Sequence, residues 1–526
     1  MSGSGTSRSI RTAEVSVRSN VRIPAPAVRR TAQSQRVSIL TKAVAVSVVL
    51  HALCIGAFAL RQHRNYGSWG FDFGLYDQVW WLIGQDGVAR SSLITVRGLP
   101  VWGHHINGVM LLLAPFARMG LPAEFLIVVQ AVAVAVGAFP LAWLGRTRSG
   151  SSAVGGACAA MYLLNPAVGW LGWVGFHPEA LAVSPLLFAA WFAHTRRYGR
   201  LAVCVVLALS CREEVGLVVG MLGATWLVRS AVQRWRRGPG AGRLVDVVAA
   251  MVTMGTGFGW FVVCSRWLIP SFLGTDAFYI DHFYARFGSS MGEVGVHLAT
   301  HPGRVVSLAA QPQARTYLLD LFAPLGGLPL VGGSVVAALP QLVATIAADS
   351  KWVRDVRFQY TALMIPGLML AAVEVLSWCW RRRVVVGRIA VGWVLCCSVA
   401  SALIRGPLPI SIAANNWKSS EPARTSLDRA VAMIPDDATI AATDNLVSHL
   451  SHRRGVYDFP NPFSWMVYGQ TEADAANPND ADWVLVQPAG LSPAHLKTLD
   501  SLRASGDFET VFAQDGVLLL HRSPPR

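Results

Sequence analysis

The sequence predicts an all-α polytopic membrane protein with a small α/β domain at its C-terminal end. Of its 526 residues, 53% are hydrophobic and 14% are charged, whereas a soluble protein carries about 25% charged residues. The apolar residues form long runs, and the 19 Trp suit a protein that is anchored at two membrane–water interfaces. This composition excludes an ordinary cytosolic enzyme.

The excess of positive charge lies in the first 404 residues of the chain. Residues 1–404 contain 35 Lys and Arg against 16 Asp and Glu, whereas the last 122 residues contain 10 against 14. An excess of Lys and Arg in short loops between apolar runs sets the orientation of a membrane protein. The net charge of +15 therefore reflects topology, and no nucleic-acid partner is expected.

The N-terminal part of the chain is expected to hold a tail and the first spans. Residues 1–38 are rich in Ser, Arg, Thr and Pro and predict a disordered basic cytoplasmic tail. Residues 39–404 are expected to form a multi-span transmembrane domain, since one crossing needs about 20 apolar residues. Full spans are predicted at 43–60, 122–145, 153–170, 179–195, 244–269, 359–380 and 384–404.

Two longer stretches are each predicted to form two helices. Basic residues flank 201–229 on both sides, so both of its ends should lie in the cytoplasm. A hairpin that turns at Arg212, Glu213 and Glu214 satisfies this condition, and a single crossing does not. Breakers in the sequence GGLPLVGG divide 316–348. The predicted total is about eleven transmembrane helices, with the N-terminus inside and the C-terminus outside.

Three segments are expected on the outer side. In the loop 61–121, the stretch 106–119 is short for a crossing and suits the membrane interface. The loop 270–315 carries several His, Asp and Glu residues. The tail, 405–526, predicts a small soluble α/β domain with helices at 425–434 and 493–504, strands at 438–442, 483–487, 509–513 and 516–521, and a hairpin turn at Asp515-Gly516.

The first candidate site lies in FDFGLYDQVWW, residues 71–81, after the first span. Asp72 and Asp77 are candidate catalytic residues, because charges near membrane depth are costly and usually functional. On a helix, a spacing of five residues places the two carboxylates about 140° apart. One would then face a cavity while the other caps a helix or pairs with a cation. The alternative is an interfacial aromatic helix with Asp72 as its N-cap.

Two histidine motifs are expected at the same outer end. In GHHINGV, one of His104 and His105 would bind a phosphate or a metal while the other packs, although a purely interfacial hydrogen-bonding role explains the pair as well. In GFHPEAL, His177 lies at the mouth of the bundle. Glu179 is a second candidate there, but a position at a helix N-terminus also explains its charge.

The remaining candidates are charged. In CREEVGL, Arg212 would neutralise one of Glu213 and Glu214, leaving the other as a base, a metal ligand or an acceptor for a sugar hydroxyl; a structural ion pair is the alternative.

In KWVRDVRFQYTALMIP, Arg354 and Arg357 would share a face if the segment is helical, and could clamp a phosphate. Anchoring at the interface with Asp355 as partner is the alternative. Tyr360, in the same segment, is a further substrate-binding candidate. No P-loop, GxGxxG or GxSxG motif supports ATP-driven transport or Rossmann cofactor chemistry.

The order of these motifs resembles a known family. FDFGLYDQ, a His followed by LLLAP, FHPEAL, REEVGL, RFQYTALMIP, AATDNLVSHLSHRRGVYDFP and DGVLLLHR occur in this order from about residue 45 to the end. The combination resembles a family of bacterial integral membrane proteins of unknown function. That family in turn resembles the GT-C glycosyltransferases, which use polyprenyl-phosphate sugars. Outer-loop motifs differ among GT-C families, so the resemblance does not choose between Asp72 and Asp77.

The resemblance implies a plasma-membrane enzyme that transfers a sugar from a polyprenyl-phosphate donor to an envelope glycan, lipid or protein. Asp72 or Asp77 would be the base, Arg354, Arg357 and His105 would contact the phosphate, and Glu213 and Glu214 would orient the sugar or hold Mg²⁺ or Mn²⁺. A lipid-carrier flippase or transporter and a non-catalytic envelope assembly protein are the alternatives. A membrane lipid is a further expected partner.

Overall fold

The computed structural model of the chain describes residue 3 and residues 26–94, 100–173, 175–237, 244–273, 279–412, 421–464 and 477–523. Most of the predicted tail, 1–38, therefore lies outside the described residues. The first helix nevertheless begins at Pro26, within the segment that was predicted to be disordered. Proline suits the first turn of a helix, because the amide hydrogen it lacks would have no helical partner there.

Helices make up most of the structure. In chain order they are α1 (Pro26–Arg64), α2 (Leu75–Asp86), α3 (Val109–Arg118), α4 (Glu124–Ala135), α5 (Ala138–Ser149), α6 (Ser152–Leu163), α7 (Pro166–Trp170), α8 (Pro178–His194), α9 (Tyr198–Leu209), α10 (Val215–Arg237), α11 (Leu244–Val263), α12 (Ile269–Leu273), α13 (Tyr279–Phe283), α14 (Met291–Thr300), α15 (Pro302–Ala309), α16 (Pro312–Phe322), α17 (Leu339–Ala347), α18 (Ile365–Arg382), α19 (Val384–Arg405), α20 (Arg424–Ala432), α21 (Asp444–Val447) and α22 (Pro493–Ser505).

Within the described ranges, five helical segments are long and apolar enough to cross a membrane. They are Ile39–Arg64, Glu124–Ser149, Val215–Arg236, Leu244–Phe272 and Val384–Arg405. The predicted count of eleven is not confirmed, because several predicted spans are shorter than the roughly 20 residues of a full crossing. Helices α6 and α9, for example, have 12 residues each.

Both predicted breaks in the longer stretches are confirmed. Helix α9 ends at Leu209 and α10 begins at Val215, so Arg212, Glu213 and Glu214 lie in the turn between two helices. In the second stretch, 3₁₀ turns between residues 323 and 338 separate α16 from α17. Charges and helix breakers inside the apolar runs therefore predicted both breaks between helices correctly.

Helices α10 and α11 approach each other closely through glycines. A Cβ atom on Gly257 would lie 2.3 Å from the backbone nitrogen of Gly220 and 2.6 Å from the carbonyl oxygen of Gly216. Small residues four apart allow backbones to pack directly against each other in a membrane. This contact fixes the start of α10, and with it the charged turn that precedes it.

The C-terminal segment contains a five-stranded sheet. Its strands are β1 (Ile440–Ala442), β2 (Val456–Asp458), β3 (Trp483–Val486), β4 (Phe508–Gln514) and β5 (Val517–Arg522), in the order β2-β1-β3-β5-β4. Strand β1 is parallel to β2 and β3, whereas β5 is antiparallel to β3 and β4. The four predicted strands are present, and the three-residue β2 was missed.

The predicted hairpin turn between β4 and β5 is confirmed. Asp515 and Gly516 have φ values of 49° and 75°, the left-handed backbone that a tight two-residue hairpin turn requires.

The sheet segment packs on one end of the helical bundle. The hydroxyl of Tyr66 donates to Asp428 over 2.8 Å, and the backbone N–H of Phe71 donates to Asp444 over 3.0 Å. The loop that follows α1 therefore lies beneath the C-terminal segment. The turn with Asp72 belongs to this loop.

Candidate active site

Seven charged or polar side chains meet at the end of the bundle that carries the C-terminal segment. They are called the ionic cluster here and comprise Asp72, His105, His177, Glu179, Arg212, Glu213 and Glu214. Helices α8 and α10 both begin at this end. The cluster therefore collects residues from four separate parts of the sequence.

Arg212 is the centre of the ionic cluster. Its Nη1 donates to Glu179 Oε1 over 2.6 Å, and its Nε lies 3.0 Å from Glu214 Oε2. Its Nη2 lies 2.8 Å from His105 Nε2. One guanidinium thus joins α8 to the turn before α10 and to the loop that carries His105.

Glu213 is held by a second set of contacts. His105 Nδ1 lies 2.7 Å from Glu213 Oε1, and the backbone N–H of Ile106 donates to Oε2 over 3.0 Å. Burial opposes ionisation of Glu213, but the interactions with His105 and Arg212 outweigh it and lower its pKa to about 2. His105 therefore links the guanidinium of Arg212 to an ionised carboxylate.

Asp72 faces the cluster from a single π-helical turn, Gly70–Gly74. Its Oδ1 lies 3.3 Å from His177 Nε2, and the backbone N–H of His177 donates to Gln130 Oε1 over 2.6 Å. Gly175 has a φ of 88°, and a Cβ there would lie 2.7 Å from Phe73 Cβ. The glycine therefore permits the close approach that brings His177 to Asp72.

Exposure separates the members of the cluster into two groups. The Asp72, Glu214 and His105 side chains are 25%, 30% and 20% exposed, whereas those of Glu179 and Glu213 are 3% and 1% exposed. Partial burial of the Glu214 carboxylate raises its pKa above the usual range, against the opposing effect of Arg212. Asp72, His105 and Glu214 are therefore reached by solvent, whereas Glu179 and Glu213 form the buried part of the cluster.

Three tyrosines lie within electrostatic range of the cluster. Burial and then the charge of Asp72 raise the pKa of Tyr360, which was predicted, and burial and then Glu214 raise that of Tyr284. The Tyr76 ring lies 5.7 Å from that of His177. Tyr76 and Tyr284 were missed, although Tyr76 follows Asp72 by four residues and a shared helical face would have indicated it.

Asp77 lies in a different environment from Asp72. It is fully buried and accepts hydrogen bonds from Ser451 Oγ at 2.5 Å and from His452 Nε2 at 3.1 Å. The structure therefore places one carboxylate at the cluster and the other against the C-terminal segment, as the angular separation predicted. No side chain caps α2, so Asp72 is not its N-cap.

His104 is more buried than its neighbour His105. It is buried, and burial followed by the neighbouring His105 lowers its pKa to about 3. A neutral, buried His104 matches the packing role that was predicted for one member of this pair.

Arg354 and Arg357 do not form the predicted phosphate clamp. Residues Trp352–Arg354 form a 3₁₀ turn and Asp355 is extended, so the two arginines do not share a helical face. Arg354 donates to the carbonyl of Ala348 over 2.5 Å, whereas Arg357 pairs with Asp355 at 2.7 Å.

Arg357 instead belongs to an aromatic rim beside the turn with Asp72. Its guanidinium lies 5.5 Å from the ring centroid of Trp173. The Trp69 ring, immediately before the turn, lies 5.7 Å from Trp173 and 5.4 Å from Phe358. Aromatic faces next to a half-exposed guanidinium form a surface that suits a sugar phosphate.

The carboxylates of the cluster differ in their free oxygens. Among the residues that the structure describes, no group of three or more His, Cys, Asp or Glu side chains is arranged to hold a metal ion. Both oxygens of Glu213 are occupied by His105 and Ile106, and one oxygen of Glu214 contacts Arg212. Glu213 therefore has no free oxygen for the Mg²⁺ or Mn²⁺ that the sequence suggested.

Comparison with solved structures shows a shared fold. The crystal structure of ArnT from Cupriavidus metallidurans bound to undecaprenyl phosphate superposes with a TM-score of 0.50 and 14% identity, covering 90% of this chain and 97% of that chain. The apo form of the same protein has a TM-score of 0.49 and 12% identity, covering 93% and 98%. No curated protein matches the sequence.

The family comparison covers most of the chain. A model described as a predicted membrane protein of unknown function matches residues 63–519. This range includes the ionic cluster, the apolar helices that follow α1 and nearly all of the C-terminal segment. The chain is therefore a member of the DUF2079 family of predicted membrane proteins.

Proposed function

We propose that the protein is an integral membrane glycosyltransferase that transfers a sugar from a polyprenyl-phosphate donor to a cell-envelope acceptor at the outer face. The observation that carries the proposal is the ionic cluster, in which an accessible carboxylate, Asp72, lies beside a buried network of ion pairs centred on Arg212. The fold shared with ArnT supports it, since that crystal structure contains undecaprenyl phosphate.

The charge distribution supports an extracytoplasmic position for the cluster. Helices α5, α8 and α10 each end in basic residues at the end of the bundle opposite to Arg212. Basic ends of spans lie in the cytoplasm. The cluster and the C-terminal segment, 405–526, then lie outside, where a lipid-linked sugar and an envelope acceptor would meet.

Asp72 is the proposed general base. It takes the proton of the acceptor hydroxyl as that oxygen forms a bond to the anomeric carbon of the sugar. The bond between the anomeric carbon and the phosphate oxygen breaks, and the electron pair leaves with the polyprenyl phosphate. His177, which is almost fully buried, orients Asp72 for this step.

The other accessible groups have proposed roles in binding. The hydroxyl of Tyr360 would stabilise the phosphate, and Arg357 would contact it from the aromatic rim. His105, whose ring nitrogens face Glu213 and Arg212, would hold the guanidinium in place. Glu214 would accept hydrogen bonds from sugar hydroxyls. Glu179, Glu213 and Arg212 would hold these groups in position, and Asp77 has no proposed catalytic role.

Reconstituted protein tests the proposal. Purified full-length protein in liposomes would be given radiolabelled polyprenyl-phosphate sugars and an envelope extract, and transfer would be measured. Asp72→Asn is expected to lower kcat by about 10²–10⁴-fold, the usual contribution of a general base. Asp86→Asn is the matched control, because Asp86 is an exposed carboxylate at the end of α2 that pairs with Arg454.

Two results would contradict the proposal. Equal activity of the Asp72→Asn and wild-type proteins would show that Asp72 is not the general base. Absence of transfer with every donor, together with movement of the donor between leaflets, would indicate a flippase instead.

A further inference from the structure

A cavity of about 210 Å³ lies away from the ionic cluster, between α8, α9, α10 and α11. Its lining includes Arg229 and Gln233, near the C-terminal end of α10. Arg229 follows Val215 by fourteen residues, which is about 21 Å along a helix. The polar end of this cavity is therefore at the opposite end of the bundle from Arg212.

The polar end of the cavity carries an excess of positive charge. Arg148, Arg196 and Arg229 line it. Arg148 and Arg229 both contact the same oxygen of Glu374, and Arg196 forms hydrogen bonds with both oxygens of Asp246 at 3.0–3.2 Å. Three guanidinium groups thus face two carboxylates, which leaves one positive charge for an anion to balance.

Neutral hydrogen-bonding groups lie beside these charges. Ser230 and Gln233 line the same end on α10, and Ser334 lines it from the turn before α17. Gln233 is exposed at the mouth of the cavity. Guanidinium, hydroxyl and amide donors together form the kind of environment that binds phosphate oxygens.

The opposite end of the cavity is apolar. Leu186 and Ala189 of α8, Val205 of α9, and Val219 and Leu222 of α10 line it. Val219 precedes Gln233 by fourteen residues on the same helix, so the cavity runs about 21 Å from its polar to its apolar end. A free anion would leave this apolar end unfilled, whereas a hydrocarbon chain would cover it.

We propose that this cavity binds a phosphate-bearing lipid from the leaflet opposite to the ionic cluster. The phosphate lies among Arg196, Arg229 and Gln233, and the hydrocarbon chain extends between α8 and α10 towards Val219. Trp226, whose ring stacks with that of Tyr198, forms the wall at the level of the head group. The site does not depend on the glycosyltransferase activity proposed above.

Binding of tritiated phosphatidic acid to the purified full-length protein in detergent tests this inference. Diacylglycerol with the same chains is expected to compete at least about tenfold less well, because it lacks the charged hydrogen-bond acceptor. Millimolar inorganic phosphate is expected not to displace the lipid. Displacement by inorganic phosphate would overturn the lipid assignment in favour of a free-phosphate site.

Two variants test the two ends of the cavity. Ala193→Trp fills the cavity and is expected to abolish specific binding, whereas Val228→Trp on the exposed side of α10 is expected to leave it unchanged. Gln233→Glu places a negative charge at the mouth and should weaken binding about fivefold, the effect of one unit charge a few ångström from a phosphate near water.

Arg236→Gln changes the net charge by the same amount at an exposed position that does not line the cavity, and it should have little effect. Equal affinity for phosphatidic acid and diacylglycerol would overturn the inference. Unchanged binding in Ala193→Trp, in protein that still elutes as a single folded species, would overturn it as well.

Discussion

Removal of the Arg212 guanidinium should destabilise the protein far more than removal of a surface arginine. Arg212 is the cation that contacts Glu179, whose side chain is 3% exposed, and it also lies beside the buried Glu213. Loss of one partner from a buried ion pair typically costs about 3–5 kcal/mol, because the other charge is left in a medium of low polarity. We therefore expect Arg212→Gln to lower the free energy of unfolding by about that amount.

A double-mutant cycle separates this effect from a general loss of packing. Glu179→Gln in the Arg212→Gln background removes the uncompensated carboxylate and should restore about 1–3 kcal/mol. Unfolding would be followed by tryptophan fluorescence during titration with SDS in mixed micelles. Arg405→Gln is the control, since Arg405 is largely exposed and its contact with Asp320 is 3.5 Å long; exposed pairs contribute about 0–1 kcal/mol.

The reasoning fails if Arg212→Gln costs no more than Arg405→Gln. It fails equally if the Glu179→Gln substitution adds its own cost in the double variant. Either result would mean that the cluster is hydrated enough for water to replace the guanidinium.

Three further predictions concern other parts of the molecule. As the pH is lowered, transfer activity should begin to decline while the pH is still above ~4.3, the ordinary glutamate pKa, because the pKa of Glu214 is raised. The pH profile of the Glu214→Gln variant should lack this decline. Burial lowers the pKa of His452, but the charge of Asp77 outweighs burial and raises the pKa overall. The stability from this pair is therefore present at low pH and is lost as the pH rises through the raised pKa. His452→Gln should cost more unfolding free energy at pH 6 than at pH 9, and an equal cost would contradict this. Gly257→Leu should destabilise the α10–α11 contact by about 1–3 kcal/mol or more, whereas Gly259→Leu, whose Cβ would meet no atom within 4 Å, should be nearly neutral in the same titration.

Features encoded by neighbouring residues could be predicted from the sequence. The turn at Arg212 was located because charges interrupt an apolar run between two basic flanks. The separation of Asp72 from Asp77 was expected from helical geometry, although Asp72 lies on a π-helical turn rather than on α2. The hairpin at Asp515 and Gly516 followed from the residue types that accept a left-handed backbone.

Features that depend on distant residues could not be predicted in the same way. The partners of Asp77 are Ser451 and His452, more than 370 residues later in the chain. Arg354 and Arg357 were expected to act together because their spacing is helical, but a 3₁₀ turn and an extended residue replaced the helix. The number of crossings stays a prediction, because five described segments have the length and hydropathy of a full span while other apolar helices are shorter.

The contact between the C-terminal segment and α2 limits how the protein can be shortened. Gln78, which is fully buried, donates to the carbonyl of Arg453, and Ser92 exchanges hydrogen bonds with the backbone of Val456. A chain that stops after α19 would leave these amide and hydroxyl groups, and the carboxylate of Asp77, without the atoms that solvate them. A stable helical fragment therefore cannot be obtained by deleting the sheet, and proteolytic release of that segment would destabilise the helices that remain.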